Sequence, residues 1–492
     1  MSNPQPLTIK HSLVYIILLV ICGVGVWFVL KTGAALDQKR EAPAAAAPAN
    51  TVPQSPEGSQ PGKTNVARLL SANLRNALSI LLLQLVVIVI ASRLVGKLFL
   101  MMGQPRVMGE IVAGIILGPS LLGQLSPTAM AFLFPTASLE PLRLLSQIGV
   151  VLFMFVVGME LDLGDLRKKA YLAIMVSHVS IVVPFFLGVT LSLLVYGSES
   201  PARTSFTPFA LFVGVAMSVT AFPVLARILE DRGLSKTTLG GVALTCAAFD
   251  DVTAWCLLAL VIAIARADAM LPAIITIAFV IAFITLMIFL VKPMLARLAR
   301  RTSDNERHRR GLVALILVFV FASALITEII GIHALFGAFL AGVVMPATAG
   351  IRDMLKARLE TLSLVVLLPL FFAFTGLRMQ ITLLNDWQSW VLCGLIIVVA
   401  IAGKLGGSMF MARWTGMGWR DSFSLGVLMN TRGLVELIVL SVGYDLGILS
   451  ARTFAMLVLM ALVTTFMTGP LLSLVKFGSE PRAVATGPGS QQ

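Results

Sequence analysis

From about residue 76 to residue 476 the chain is a nearly continuous series of apolar runs, most of them long enough to cross a bilayer as a helix. A helix rises 1.5 Å per residue, so crossing about 30 Å of hydrocarbon takes roughly 20 apolar residues. The runs place spans near 76–100, 105–123, 142–163, 170–196, 206–229, 236–265 and 270–294, then near 310–330, 333–348, 359–378, 388–412, 420–442 and 452–475. Only 12% of the residues are charged and 58% are hydrophobic, against about 25% charged in a soluble domain. Such a chain cannot cover a water-facing surface. The expected fold is therefore an all-α integral membrane bundle of about 13 core helices.

The formal net charge of +13 does not indicate nucleic acid, because the basic residues sit in short loops between the spans. Alternate loops hold Arg167, Lys168 and Lys169; Arg227, Arg232 and Lys236; the block from Lys292 to Arg310; Arg352, Lys356 and Arg358; Arg413 and Arg420; and Lys476 and Arg482. The intervening loops hold at most one each. Positive loops stay on the cytoplasmic side, so the C-terminus is expected there, close to anionic lipid.

Ahead of the core, an apolar run over 12–30 ending at Lys31 reads as an N-terminal membrane anchor (1–32). Residues 33–70 are rich in Ala, Pro, Gln and Ser and read as a flexible linker. The transmembrane domain is expected over 71–476, with a short cytoplasmic tail over 477–492. Cys22, Cys246, Cys256 and Cys393 lie inside apolar stretches without metal-ligand spacing and read as packing residues. The four histidines are scattered. No metal, cofactor or catalytic group is expected, and the chain does not read as an enzyme.

The sequence also repeats itself. GVVLFMFVVGMELDL, ending at Leu163, resembles LLPLFFAFTGLRMQI, ending at Ile381, with Leu152 on Leu370 and Gly158 on Gly376. VAGIILGP resembles LAGVVMP, with Gly114 on Gly342. GVAMSVTAF resembles GVLMNTRGL, setting Ser218 and Thr220 against Asn430 and Arg432. The partners are seven spans apart, and an odd offset means that the two halves enter the membrane in opposite directions. Inverted repeats around a midplane site are a transporter architecture.

The chemistry concentrates in AAFDDVTAW. Asp250 and Asp251 lie in mid-span, where each carboxylate costs about 2.5–3.5 kcal/mol even on a lenient scale. Neighbouring helical positions differ by about 100°, so the pair cannot serve one partner. Lys404, in LIIVVAIAGKLGGSMFM, is the candidate salt-bridge partner, with snorkelling to the interface as the alternative. Pro223 removes an amide and disturbs the helix around Ser218 and Thr220; its counterpart is the polar Asn430, Thr431 and Arg432 followed by Gly433. Unwound backbone at this depth is tolerable where it meets protein or water. Arg432 and Glu436, four apart, suggest an intrahelical ion pair. Glu110, Glu160, Asp162 and Glu328 lie near span ends and read as interfacial or capping residues.

Taken together, GEIVAGIILGPSLLG, MSVTAFPVLARIL, FDDVTAW, GKLGG and NTRGLVELIVL resemble the second monovalent cation:proton antiporter family, part of the sodium/proton antiporter superfamily, over roughly 76–476. That family includes the plant cation/proton exchangers and the membrane domains of Kef-type systems. The resemblance implies a homodimer in a bacterial plasma membrane, with a dimerisation domain and a core domain whose two crossed, broken helices are 206–229 and 420–442. It also implies that Asp251 carries the ion or proton, and that Asp250 pairs with Lys404. Many members have Asn in place of Asp250, so their cation preference does not transfer. No Gly-rich nucleotide-binding regulatory domain is expected after residue 476, and the N-terminal anchor and linker read as additions to the usual core.

The mechanism expected is exchange of Na⁺ or K⁺ for protons by alternating access, serving pH homeostasis. Asp251, helped by Thr220 and nearby backbone oxygens, would hold either a proton or the dehydrated cation, because desolvation disfavours its bare charge. Proton exchange at Asp250 and Lys404 as well would make the cycle electrogenic. Two alternatives are a cation channel and a sodium-coupled symporter on the same scaffold. An intramembrane aspartyl protease needs facing carboxylates from two helices, which adjacent residues cannot supply.

Overall fold

The computed structural model describes residues 9–40, 76–160, 170–202, 204–234, 237–266, 270–301, 306–346 and 351–475. Every regular element among them is helical. Apart from two short helices over Leu122–Leu125 and Pro127–Leu133 and a 3-10 turn over Ile381–Leu383, they are α1 (Ile9–Arg40), α2 (Ala77–Met101), α3 (Arg106–Leu117), α4 (Thr136–Glu160), α5 (Ala170–Glu199), α6 (Phe206–Ser218), α7 (Phe222–Asp231), α8 (Thr238–Arg266), α9 (Met270–Leu286) and α10 (Lys292–Arg301). After these come α11 (Glu306–Ile330), α12 (Ala334–Val343), α13 (Ile351–Leu362), α14 (Leu368–Arg378), α15 (Trp387–Ile401), α16 (Gly407–Trp414), α17 (Trp419–Met429), α18 (Leu434–Asp445) and α19 (Ala451–Leu474). Single π-helical turns join α9 to α10, α13 to α14 and α15 to α16. Among the described residues, 11 helices are long and apolar enough to cross a bilayer, and α6 and α12 are shorter apolar helices.

Several boundaries differ from those read in the sequence. The helix expected from 142 begins at Thr136. The span expected over 359–378 runs over Val365–Leu383, and it is preceded by the amphipathic helix IRDMLKARLETL from Ile351, which continues into the apolar run through the π turn. The first helix does not end at the anchor boundary of 32 but runs to Arg40, since Ala, Leu, Gln, Lys and Arg are strong helix formers. The rest of the expected linker, 41–70, and the tail, 477–492, lie outside the described residues.

The inverted repeat is visible in the packing as a reciprocal exchange. Helix α3 packs on α14, and α12 packs on α4. A Cβ at Gly114 would fall 2.2 Å from the Ala373 carbonyl oxygen, and one at Gly342 would fall 2.2 Å from that of Phe155. In the same way Gly376 abuts the Ile111 carbonyl oxygen at 2.5 Å and Gly158 abuts that of Phe339 at 2.2 Å. Aligning Gly114 on Gly342 and Leu152 on Leu370 carries each of these contacts onto its partner. Only glycine lets backbones approach this closely in lipid, where packing rather than hydrophobicity drives helix association.

Around the interrupted helices, α6 with α7 and α17 with α18, lie α5, α8, α15, α16 and α19. Large side chains such as Phe209, Phe212, Met217, Leu440 and Phe454 fill this region and are buried. Helix α2, by contrast, exposes Leu78, Leu82, Val86, Ile90, Leu94 and Leu98.

Candidate functional site

Helix α6 stops at Ser218, and Val219 is extended at φ −65° and ψ 140°. The chain turns helical again at Phe222, with Pro223 in the second position of α7. There a missing N–H forfeits nothing and a preset φ favours the start. Helix α17 stops at Met429 and α18 starts at Leu434. The two breaks touch: the Ala221 N–H donates to the Thr431 carbonyl at 3.1 Å. A Cβ at Gly433 would stand 2.7 Å from Val224 Cγ2, so the close crossing requires a glycine. Backbone freed by the second break is taken up by α19. Thr465 Oγ1 accepts from the Arg432 N–H at 3.1 Å and donates to the Arg432 carbonyl at 2.6 Å, and Thr468 Oγ1 lies 3.4 Å from Thr431 Oγ1. Mid-membrane backbone is thus satisfied within the protein.

Against these breaks α8 brings Asp250 and Asp251, both fully buried. Asp250 is saturated. Its Oδ1 accepts from Ser177 Oγ at 2.5 Å; its Oδ2 accepts from Ser180 Oγ at 2.8 Å, Thr220 Oγ1 at 2.6 Å and Lys404 Nζ at 2.8 Å. Lys404 lies in the π turn Ala402–Gly406 and is fully buried, so it does not snorkel. Its ammonium also donates to the Ser180 carbonyl at 3.0 Å and to the Ser218 carbonyl. Three donors meet three acceptors.

Asp251 points elsewhere on the helix, as the 100° step requires. Neither of its carboxylate oxygens has a hydrogen-bond partner. The backbone amide of Phe222, at the start of α7, faces it without meeting hydrogen-bond geometry. One turn further along α8, the buried Trp255 Nε1 is likewise unpartnered.

The third charged group is Arg432, fully buried despite its size. Its Nη1 donates to Glu436 Oε1 at 2.9 Å and to the Ala216 carbonyl at 2.7 Å; its Nη2 donates to the Met217 carbonyl. The pair with Glu436 forms as the spacing suggests, but it runs from the break to the first turn of α18 and is not intrahelical, and Arg432 also caps the end of α6. Glu436 Oε2 and Asn430 Oδ1 are unpartnered. Across this cluster three carboxylates, Asp250, Asp251 and Glu436, face two cations, Lys404 and Arg432. One negative charge is in excess, and Asp251 is the carboxylate without an ion pair.

Two expectations change. Thr220, in the break after the extended Val219, donates to Asp250 and not to Asp251. Glu110 is buried rather than interfacial, on the face of α3 that packs inward; Glu328 accepts the Ala334 N–H at 2.9 Å, while the side chain of Glu160 and all of Asp162 lie outside the described residues. Ser177, Ser180, Thr465 and Thr468 were not singled out in the sequence; the signal for the serines was their i, i+3 spacing on an otherwise apolar span. Cys256 is exposed, whereas Cys22, Cys246 and Cys393 are buried. Among the described residues no three His, Cys, Asp or Glu side chains converge as a metal site.

A family model for the transmembrane domain of sodium/hydrogen exchangers matches residues 76–477. The Na⁺/H⁺ antiporter NhaS4 of Synechocystis is 45% identical over 398 residues, covering 81% of this chain and 97% of that protein. Cation/H⁺ antiporter 19 of Arabidopsis thaliana is 40% identical over 400 residues, 81% of this chain and 50% of the relative, so the chain spans about half the length of that protein. Among solved structures, the sodium proton antiporter MjNhaP1 of Methanocaldococcus jannaschii shares the fold with a TM-score of 0.57 at 14% identity, over 80% of this chain and 96% of that one.

Proposed function

The chain belongs to the sodium/hydrogen exchanger family of transmembrane proteins, and from that premise we propose how its residues exchange a monovalent cation for protons. It is an integral membrane transporter and not an enzyme. The carrier in this reading is Asp251, and the observation behind it is a fully buried carboxylate with both oxygens uncommitted beside the crossing of two broken helices. A bare charge at this depth is expensive, so Asp251 is held either by a proton or by a dehydrated Na⁺ or K⁺. The two occupants exclude one another, and that exclusion couples the gradients.

Asp250 has a different part. Locked by Lys404 and three hydroxyls, it fixes α8 against α5 and the end of α6. Arg432 and Lys404 offset the negative end of α6, so a cation at Asp251 meets the local charge excess and not a helix dipole. Rocking of the helices around the breaks would then carry the loaded site from one side of the membrane to the other.

The basic loops support a cytoplasmic C-terminus in a plasma membrane. The transporter in this reading is a homodimer. Fluorescence quenching in everted vesicles, titrated with Na⁺, K⁺ and Li⁺ at several pH values, tests the assignment. Cation-dependent proton movement is the expected result, and solute or cation flux without proton movement would contradict it.

A further inference from the structure

We propose that α1 is a working part of the transport core: it travels with the first half of the interrupted helix, and its Asp37 is a positioning residue for the ion site. The inference rests on the reading of Asp251 as carrier. Residues 9–40 precede the region that matches the family, 76–477.

The geometry at the far end of α6 motivates the assignment. This helix of 13 residues is about 20 Å long. Its C-terminal carbonyls at Ala216, Met217 and Ser218 are held by Arg432 and Lys404. At its N-terminus Ser205 makes no side-chain cap. The cap comes from α1 instead: Asp37 accepts the Phe206 N–H, at 2.9 Å through Oδ1 and 3.2 Å through Oδ2. A carboxylate at a helix N-terminus satisfies an orphan amide and has the favourable sign for the dipole. Tyr196 holds that carboxylate by donating its hydroxyl to Asp37 Oδ1 at 2.6 Å, and also lies 2.7 Å from the Thr204 carbonyl. Both ends of α6 are therefore set by charged side chains from elsewhere in the chain.

The rest of α1 is fitted to the same body. Near its start the Tyr15 hydroxyl and His178 Nδ1 are hydrogen-bonded at 2.7 Å. His178 lies on α5 between Ser177 and Ser180, the two serines that bind Asp250. Between these polar contacts a Cβ at Gly25 would fall 2.4 Å from the Phe186 ring, and one at Gly33 would fall 1.9 Å from the Phe206 ring. Cys22 and Val29 are buried on the same side. A membrane tether needs apolarity alone, whereas α1 adds a carboxylate, a tyrosine and two glycines, all matched to α5 and α6. Any rocking that moves α6 carries α1 along.

The test uses the full chain in proteoliposomes. Asp37→Ala frees the N-terminus of α6 and is expected to raise the apparent KM for the cation about fivefold or more. Asp37→Asn keeps an acceptor for the Phe206 amide and should restore most of the wild-type KM. Gly33→Leu, which drives α1 away from Phe206 without touching Asp37, should shift KM in the same direction. In a background with the four native cysteines replaced, Gly33→Cys and Phe206→Cys joined by a short bifunctional reagent should transport as well as before joining. Unchanged KM in both Asp37→Ala and Gly33→Leu, or transport abolished by the cross-link, overturns the proposal. Wild-type exchange in the same preparation separates the two readings: normal exchange with silent α1 variants removes the role of α1 alone, while absent wild-type exchange overturns the reading of Asp251 and this inference with it.

Discussion

Lys404 and Arg432 meet the end of one helix from two different places, a π turn and the break between α17 and α18: Lys404 donates to the carbonyl of Ser218, and Arg432 to those of Ala216 and Met217. These are three successive carbonyls that the break at Val219 leaves without amide donors of their own. A helix end of this kind carries a partial negative charge, which would otherwise lie next to two aspartates. The two cations neutralise it, a task separate from ion carriage by Asp251.

Replacing Lys404 alone should be worse than replacing it together with its partner. Lys404→Met strands the buried Asp250 carboxylate, an uncompensated charge that costs about 3–5 kcal/mol. Lys404→Met combined with Asp250→Asn removes that charge and should recover a large part of the loss. Thermal unfolding of the purified proteins in detergent checks the order; a double variant less stable than the single one would refute the ion-pair account.

Arg432 should not tolerate lysine. Its guanidinium spans two carbonyls and Glu436 at once, a fork that a single ammonium cannot reproduce. Losing a charge-assisted bond of about 1.5–3 kcal/mol predicts transport lowered by tenfold or more in Arg432→Lys. Glu436→Gln should be milder, because only Oε1 of Glu436 is engaged. Initial rates in proteoliposomes would show this, and equal rates for Arg432→Lys and wild type would contradict it.

The repeat-related glycines should behave as a pair. Gly376→Ala and Gly158→Ala each place a methyl within 2.5 Å of a backbone oxygen, and overpacking of this kind costs about 1–3 kcal/mol or more. Gly394→Ala, with nothing within 4 Å and inside α15, should instead be neutral or slightly stabilising. Melting temperatures of the three variants test the reciprocal packing.

Ser177 and Ser180 should support Asp250 without touching ion carriage. Ser177→Ala removes a hydroxyl bond to a buried charge, worth about 1.5–3 kcal/mol, and lowers stability. Cation-coupled proton release should persist in that variant, and its loss would mean that Asp250 and not Asp251 exchanges the proton.

The membrane fold was legible because apolar length is a property of contiguous sequence, and the repeat because Gly114, Gly158, Gly342 and Gly376 keep their places within it. The charged members of the cluster stood out because each interrupts an apolar run, where a charge is costly. Thr220 stood out beside the helix break, but its partner was expected to be Asp251, and Ser177 and Ser180 were passed over. A serine or threonine in a transmembrane helix can bond its own backbone, as Thr190 and Ser192 do to the carbonyls four residues earlier, so the i, i+3 spacing of the two serines does not by itself name Asp250 as their partner. The docking of α1 was hidden for another reason. A run of residues from 12 to 30 suggests a tether, while Asp37 acquires its meaning only when a distant amide, that of Phe206, is brought to it.

Proton release on cation binding tests the central claim most directly. Na⁺ or K⁺ is added to purified protein in weak buffer, and the pH is recorded for the wild type and for Asp251→Asn. The wild type should acidify the medium as the cation displaces the proton from Asp251, and the variant, folded and inserted, should not. Acidification of equal size in Asp251→Asn, or cation binding by the wild type with no proton released, would contradict it.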